Sequence, residues 1–216
     1  MSSLNDKIKE CKENNNKWLN LSDMGLETLP PIPVCVKTLI IERNKITNFV
    51  VPEGVEEVYC SYNGITDIKF SSTLKYLNCS HNNIKSIKDL PSELYHLGCS
   101  YNELTELPSM KSIPILYLNA GHNKITIIKD LPFVCSILNL SHNNLSELKS
   151  FNRSLTKCLL NNNKLNNIPD QPTNLKILDI SNNPVKSINK ISPSLNNFMF
   201  TYQGETIKIE NNNVKR

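Results

Sequence analysis

Apolar and polar residues along this chain fall into a frame that returns about every twenty positions. Residues 74–87 (LKYLNCSHNNIKSI) and 94–107 (LYHLGCSYNELTEL) both read L-x-x-L-x-C-S-x-N-x-(I/L)-x-x-(I/L). The frame fits again at 36–49, 55–68, 115–128, 135–148, 155–168 and 175–188, with a partial copy at 18–30 and a degraded one at 195–203. Its polar slot holds Asn44, Asn63, Asn82, Asn102, Asn123, Asn143, Asn163 and Asn183, with Met24 and Gln203 at the ends, and successive slots lie 19 to 21 residues apart. The L-x-L or L-x-C alternation predicts a short strand with one face buried and one exposed. The Asn after it tolerates turn geometry, and its amide can satisfy backbone groups that a sheet leaves unpaired. No coil buries its apolar side alone, so coils stack, and the stacked asparagines form an internal column.

The return segments are short. Only 5 to 7 residues separate the last apolar position of one copy from the first of the next. Six residues span about 9 Å as helix but about 19 Å as extended or polyproline chain. Eleven of the twelve prolines fall in or beside these returns, Pro184 being the exception, and proline disfavours helix interiors. The outer side is therefore expected to be extended or turn-like. End coils need covers to keep the apolar core from water. Ser3 with Asp6 fits a capping box, and Leu4, Ile8 and Cys11 are spaced as one helix face. A short helix near 3–13 is expected to close the first coil. NFMFTY and ETIKIE around Gln203-Gly204 predict a hairpin at the other end, followed by a frayed NNNVKR.

Over residues 18–203 this pattern resembles the leucine-rich-repeat family. The Leu-Pro returns, most fully in DLPSELYHLGCSYNELTELP at 89–108, resemble the repeats of bacterial effectors delivered into host cells and those of some Asn/Ile/Lys-rich viral proteins. The resemblance implies an α/β-type repeat solenoid. Its shape is a right-handed horseshoe with about ten parallel concave strands and a helix-poor convex side. The domain reading is a helical cap over 1–17, the solenoid over 18–203 and a hairpin strand with tail over 204–216. Some effector relatives carry a ubiquitin-ligase domain after the repeats; thirteen residues after Gln203 leave no room for one here.

Composition narrows the function. No apolar run nears the ~20 residues of a membrane helix, and the N-terminus has no apolar signal core. A formal charge of +4 is mild. The concave columns offer only Arg43 and Lys157 as basic residues, against Asp23, Glu57 and Asp179, so nucleic acid is not expected. Lys69, Lys88, Lys129 and Lys149 form a broken basic row towards the convex edge, read as a solvated rim. Seven cysteines without a CxxC pair argue against a disulfide framework or zinc site. Cys60, Cys79 and Cys99 share one inward strand position. That position fits a redox or soft-metal stack or, as the preferred reading, small residues of a narrow core. The Asn-x-Ser triplets at Asn20, Asn78, Asn139, Asn144 and Asn152 arise from the frame.

The aromatic residues carry the functional signal. All seven tyrosines and four histidines fall in the strand segments of the frame. Tyr76, His96 and Tyr117 share the column before the second Leu; Tyr62, His81, Tyr101, His122 and His142 share the column before the Asn. With Tyr59 they predict a Tyr/His surface on the concave sheet, and tyrosine is a common interface anchor. The plainer alternative is that tyrosine favours strands. No nucleophile-base-acid set, phosphate loop or converging metal ligands accompany the histidines, although they could make binding pH-sensitive near ~6.5. The expectation is a non-enzymatic, cofactor-free, monomeric module that binds another protein, in the cytoplasm or, if pathogen-encoded, the host cytosol. It would serve as a host-directed effector or adaptor; a constitutive scaffold subunit is the alternative, and an enzyme is the least favoured class.

Overall fold

A computed structural model of the protein describes residues 3–186, 188, 191–202, 204–210 and 213–215. Met1, Ser2, Ser187 of the 175–188 copy, the closing slot residue Gln203, and Asn211, Asn212 and Arg216 of the expected tail lie outside the described residues. The chain forms a parallel-strand solenoid with very little helix. Each frame copy contributes one strand of the long sheet, from Trp18–Asn20 through Tyr76–Asn78, His96–Gly98 and Tyr117–Asn119 to Asn197–Tyr202. Ten strands run parallel and in register, so Leu77, Leu97, Leu118 and Leu138 stand side by side. Their side chains are fully buried, as are Leu39 and Val58 in the same line. A second inward line carries Leu21, Ile41, Cys60, Cys79, Cys99, Ala120 and Leu140, all fully buried. The small members of that line sit in the middle of the array, where a narrow core suits cysteine and alanine.

The prolines of the returns have a definite local role. In each of several returns the backbone N–H of the first apolar residue donates to the carbonyl three residues back, closing a β-turn. Val36 donates to Pro33 (3.0 Å), Val55 to Pro52, Leu94 to Pro91, Cys135 to Pro132 and Leu175 to Pro172. The first residue of such a turn spends its carbonyl, so proline's missing N–H costs nothing there. Extended chain accounts for the rest of the convex side. Asn48–Val50 and Asp67–Lys69 pair as a small parallel sheet, and Glu106 bridges to Ile127.

The asparagine slot ties the coils together. The Asn102 Nδ2 donates to the carbonyls of Cys99 and Ser100 in its own coil and of Cys79 in the coil before. Its Oδ1 accepts the Ile84 N–H, also from the coil before. Asn44, Asn63, Asn82, Asn123, Asn143, Asn163 and Asn183 repeat this arrangement. A buried amide with unpaired neighbours would cost about 1–3 kcal/mol per group, so the column must be complete to be tolerated.

The ends are closed differently. The helix Leu4–Glu13 has Ser3 and Asp6 in a reciprocal capping box. It packs on the first strand, buries Cys11, and sends the Lys7 ammonium to the Asn20 carbonyl at 3.0 Å. At the other end Asn197–Tyr202 turns back antiparallel to Glu205–Glu210. Asn213–Lys215 then pairs with that strand, where the sequence suggested only a frayed tail. Chain that pairs along a ladder satisfies backbone groups the tail would otherwise leave to water. Among the described residues no helix is long and apolar enough to cross a membrane.

Candidate functional site

The two aromatic columns differ in backbone. Tyr76, His96 and Tyr117 lie in strands, outward-facing and half-buried. Tyr62, His81, Tyr101, His122 and His142 do not lie in strands at all. They occupy the turn beyond the strand end, every one with φ between +52° and +58°. Asp23, Arg43, Asn162 and Asn182 hold the same left-handed position in the flanking coils. This residue turns the chain inward so that the asparagine after it can enter the core. The conformation costs a residue with a β-carbon about 1–2 kcal/mol, less for Asn or Asp.

Registered five times over, the rings stack. Tyr62 to His81 and His81 to Tyr101 are 4.2 Å between centroids, and Tyr101 to His122 and His122 to His142 are 4.0 Å, all within 12° of parallel. Stacked aromatic pairs contribute about 0.5–1.5 kcal/mol beyond their buried area, comparable to the left-handed strain they accompany. The column does not end with the rings. The imidazole Nε2 of His142 lies 3.2 Å from the Asn162 amide, and Asn182 Nδ2 donates to Asn162 Oδ1 at 3.0 Å. At the other end the Arg43 guanidinium grips Asp23 with two bonds of 2.8 and 2.9 Å. Ring faces are thus spent on each other, and the column exposes ring edges, hydroxyls and ring nitrogens.

The strand column stacks too: Tyr76 to His96 at 4.0 Å and His96 to Tyr117 at 4.3 Å. Tyr59 tilts against Tyr76 at 4.8 Å. Burial between two rings pushes the His96 imidazole down to about 4, so it is neutral near pH 7. Burial, and then the neighbouring Tyr59, raises the Tyr76 hydroxyl. His122 is also lowered, first by burial and then by His142 and His81. The nine Tyr and His residues of the expected surface therefore form two adjoining stacks, with Tyr59 at the corner.

Three residues join this surface that the frame did not single out. Tyr95 (39% exposed) meets Tyr76 edge-on at 6.4 Å, and Leu116 (50% exposed) follows it in the next coil. Their shared slot, directly after the first apolar residue of the frame, was the available signal. Gly98 lies between Asn78 and Asn119 in the line that follows the inward leucines. A Cβ there would come within 3.1 Å of the Asn78 Oδ1, so glycine lets that amide turn along the sheet and fill the space beside His96.

The thiols stand apart from this face. Cys60, Cys79, Cys99 and Cys158 are fully buried; burial raises all four, and that of Cys79 reaches about 12. Buried and held protonated at neutral pH, these thiols sit as small apolar residues of the core. Among the described residues no group of three or more His, Cys, Asp or Glu could hold a metal ion.

The family described as Leucine Rich Repeat matches the chain at residues 73–97 and 174–198. Among solved structures the chain is similar to YopM from Yersinia enterocolitica, at 28% identity with a TM-score of 0.69, over 84% of this chain and 45% of that one. It thus spans less than half of the Yersinia protein. It is also similar to a Shigella effector LRR domain, at 25% identity and a TM-score of 0.57, over 84% of this chain and 76% of that one. The functional domain of InlJ from Listeria monocytogenes, which includes a cysteine ladder, shares the fold at 24% identity and a TM-score of 0.61, over 84% of this chain and 48% of that one. No curated protein matches the chain.

Proposed function

The chain is a leucine-rich-repeat protein of short coils, resembling the repeat domains of bacterial effectors, and from that premise we propose that it is a non-enzymatic module gripping another protein on its concave sheet. The observation that carries this reading is the double stack of Tyr59, Tyr62, Tyr76, His81, His96, Tyr101, Tyr117, His122 and His142 on one face. Rigid aromatic side chains with polar tips give contact area at small entropic cost, and bulky residues kept in left-handed backbone point to selection for something other than stability. The likeness to the Shigella effector domain supports a host-directed effector or adaptor, and the reading places it as a monomer in the host cytosol.

The test is a parallel pulldown from host-cell lysate with the protein and its Tyr76→Ala/His96→Ala/Tyr117→Ala variant. A protein retained by the first and lost by the second, with unchanged circular dichroism, supports the reading. Equal retention by both moves the binding surface elsewhere.

A further inference from the structure

Charge is distributed unevenly along the sheet face. Across the four strands from Tyr76–Asn78 to Ile137–Asn139, no outward position holds a carboxylate, ammonium or guanidinium. On the side of the earlier coils the charges are engaged. Glu56 lies between Lys37 at 3.1 Å and Lys75 at 2.8 Å, and the Thr38 hydroxyl donates to Glu57 at 3.3 Å. On the side of the later coils they are not. Lys157 continues the Tyr76–Ile137 column in register, Lys176 is exposed one coil on, and neither ammonium has a partner among the described residues. The acid on those strands, Asp179, is buried and already accepts from the Ser181 N–H at 3.0 Å and hydroxyl at 2.7 Å.

Dimensions limit what can lie here. Five strand steps separate Glu57 from Lys157, about 24 Å at ~4.8 Å per step, and a three-residue strand is about 10 Å long. The strand positions alone give roughly 240 Å², and with the Tyr95 and Tyr101 slots on either side at most roughly 480 Å², under the ~800 Å² per partner of an ordinary interface between folded proteins. An extended chain of about seven residues crosses 24 Å at ~3.3 Å per residue. Resting on the concave-face reading above, we propose that this face takes an extended peptide segment, uncharged in its middle and acidic at the end that lies over Lys157 and Lys176. The Tyr/His stacks receive the middle; Lys157 and Lys176, without partners among the described residues, fix the direction in which the segment runs.

The experiment selects random twelve-residue peptides displayed on phage against the immobilised full chain, then measures affinities of the selected peptides as synthetic probes. The expected peptides carry an uncharged run with Asp or Glu gathered at one end. Their affinity falls about tenfold or more with Lys157→Glu/Lys176→Glu, as for truncated or reversed charge pairs, and weakens with added salt on the unaltered protein. Peptides with the acids exchanged for lysine should bind the doubly reversed variant, which separates a charge effect from misfolding. Peptides that need Tyr76 and Tyr117 but ignore both the lysine reversal and salt overturn this inference and leave the protein-binding face standing. Selected peptides that bind equally well after Tyr76→Ala/Tyr117→Ala overturn both.

Discussion

One backbone position is filled in two ways. In the middle coils the left-handed residue is Tyr62, His81, Tyr101, His122 or His142; in the later coils it is Asn162 or Asn182. The amides satisfy the left-handed preference cheaply and hand hydrogen bonds to each other along the column. The rings violate that preference and stack at 4.0–4.2 Å instead. Both solutions close the same turn with nearly the same φ, so the turn does not require the rings. The difference teaches that the turn itself does not select aromatic residues, as the proposed binding face requires.

The largest contrast is between this outer column and the asparagines beneath it. Asn102→Ala leaves the Ile84 N–H without its partner and takes from the Cys79 and Cys99 carbonyls one of two asparagine donors each, Asn82 and Asn123 remaining, which should cost about 1–3 kcal/mol in denaturant unfolding. Asn162→Ala, one layer out, should cost under about 1 kcal/mol; equal losses would erase the distinction between the two columns. Exchanging the two fillings is the next test. Tyr101→Asn relieves about 1 kcal/mol of strain and forfeits two stacks of similar size. Its stability should therefore stay within about 1 kcal/mol while binding falls. A collapse of the fold on this exchange would make the rings structural.

The pH dependence sharpens the contrast from the strand side. His96 ordinarily titrates near 6.5 and is held at about 4 by burial. Between those values the unfolded chain binds a proton that the folded one does not, so stability is full above pH 6.5 and declines as pH falls towards 4. His96→Asn should flatten that part of a melting-temperature profile, and an unchanged profile would place the imidazole in water. For His96, covered by two rings, a pH response of binding would likewise fall below the ordinary 6.5. The smallest effect is chemical. Cys35 is the one cysteine that is not buried, so a thiol reagent should label it alone in the native protein and all seven thiols in denaturant. Rapid native labelling of Cys79 would overturn its place in the core.

The frame of twenty was legible because the inward lines Leu77-Leu97-Leu118-Leu138 and Cys60-Cys79-Cys99-Ala120 are fixed by burial, and burial leaves a compositional trace at each copy. The Asn slot was legible for the same reason. That Tyr62 and His81 leave the strand was not, because the alternation runs on unbroken through C-S-x-N while the backbone changes hand. The ring stacks depend on register between coils rather than on any local pattern. Which lysines are engaged depends on side-chain reach: Lys75 meets Glu56, while Lys157 meets nothing among the described residues, and both sit in the same frame.

The asparagine amides also give the array a direction. Each holds its own strand end and reaches back to the coil before, as Asn102 does to Cys79 and Ile84 and Asn123 to Cys99 and Leu104. Under mechanical load, peeling from the C-terminal end must strip each rung of its backward staple before the next can follow. Pulling from the first coil instead tears those staples from the receiving side, so unzipping forces measured from opposite termini should differ.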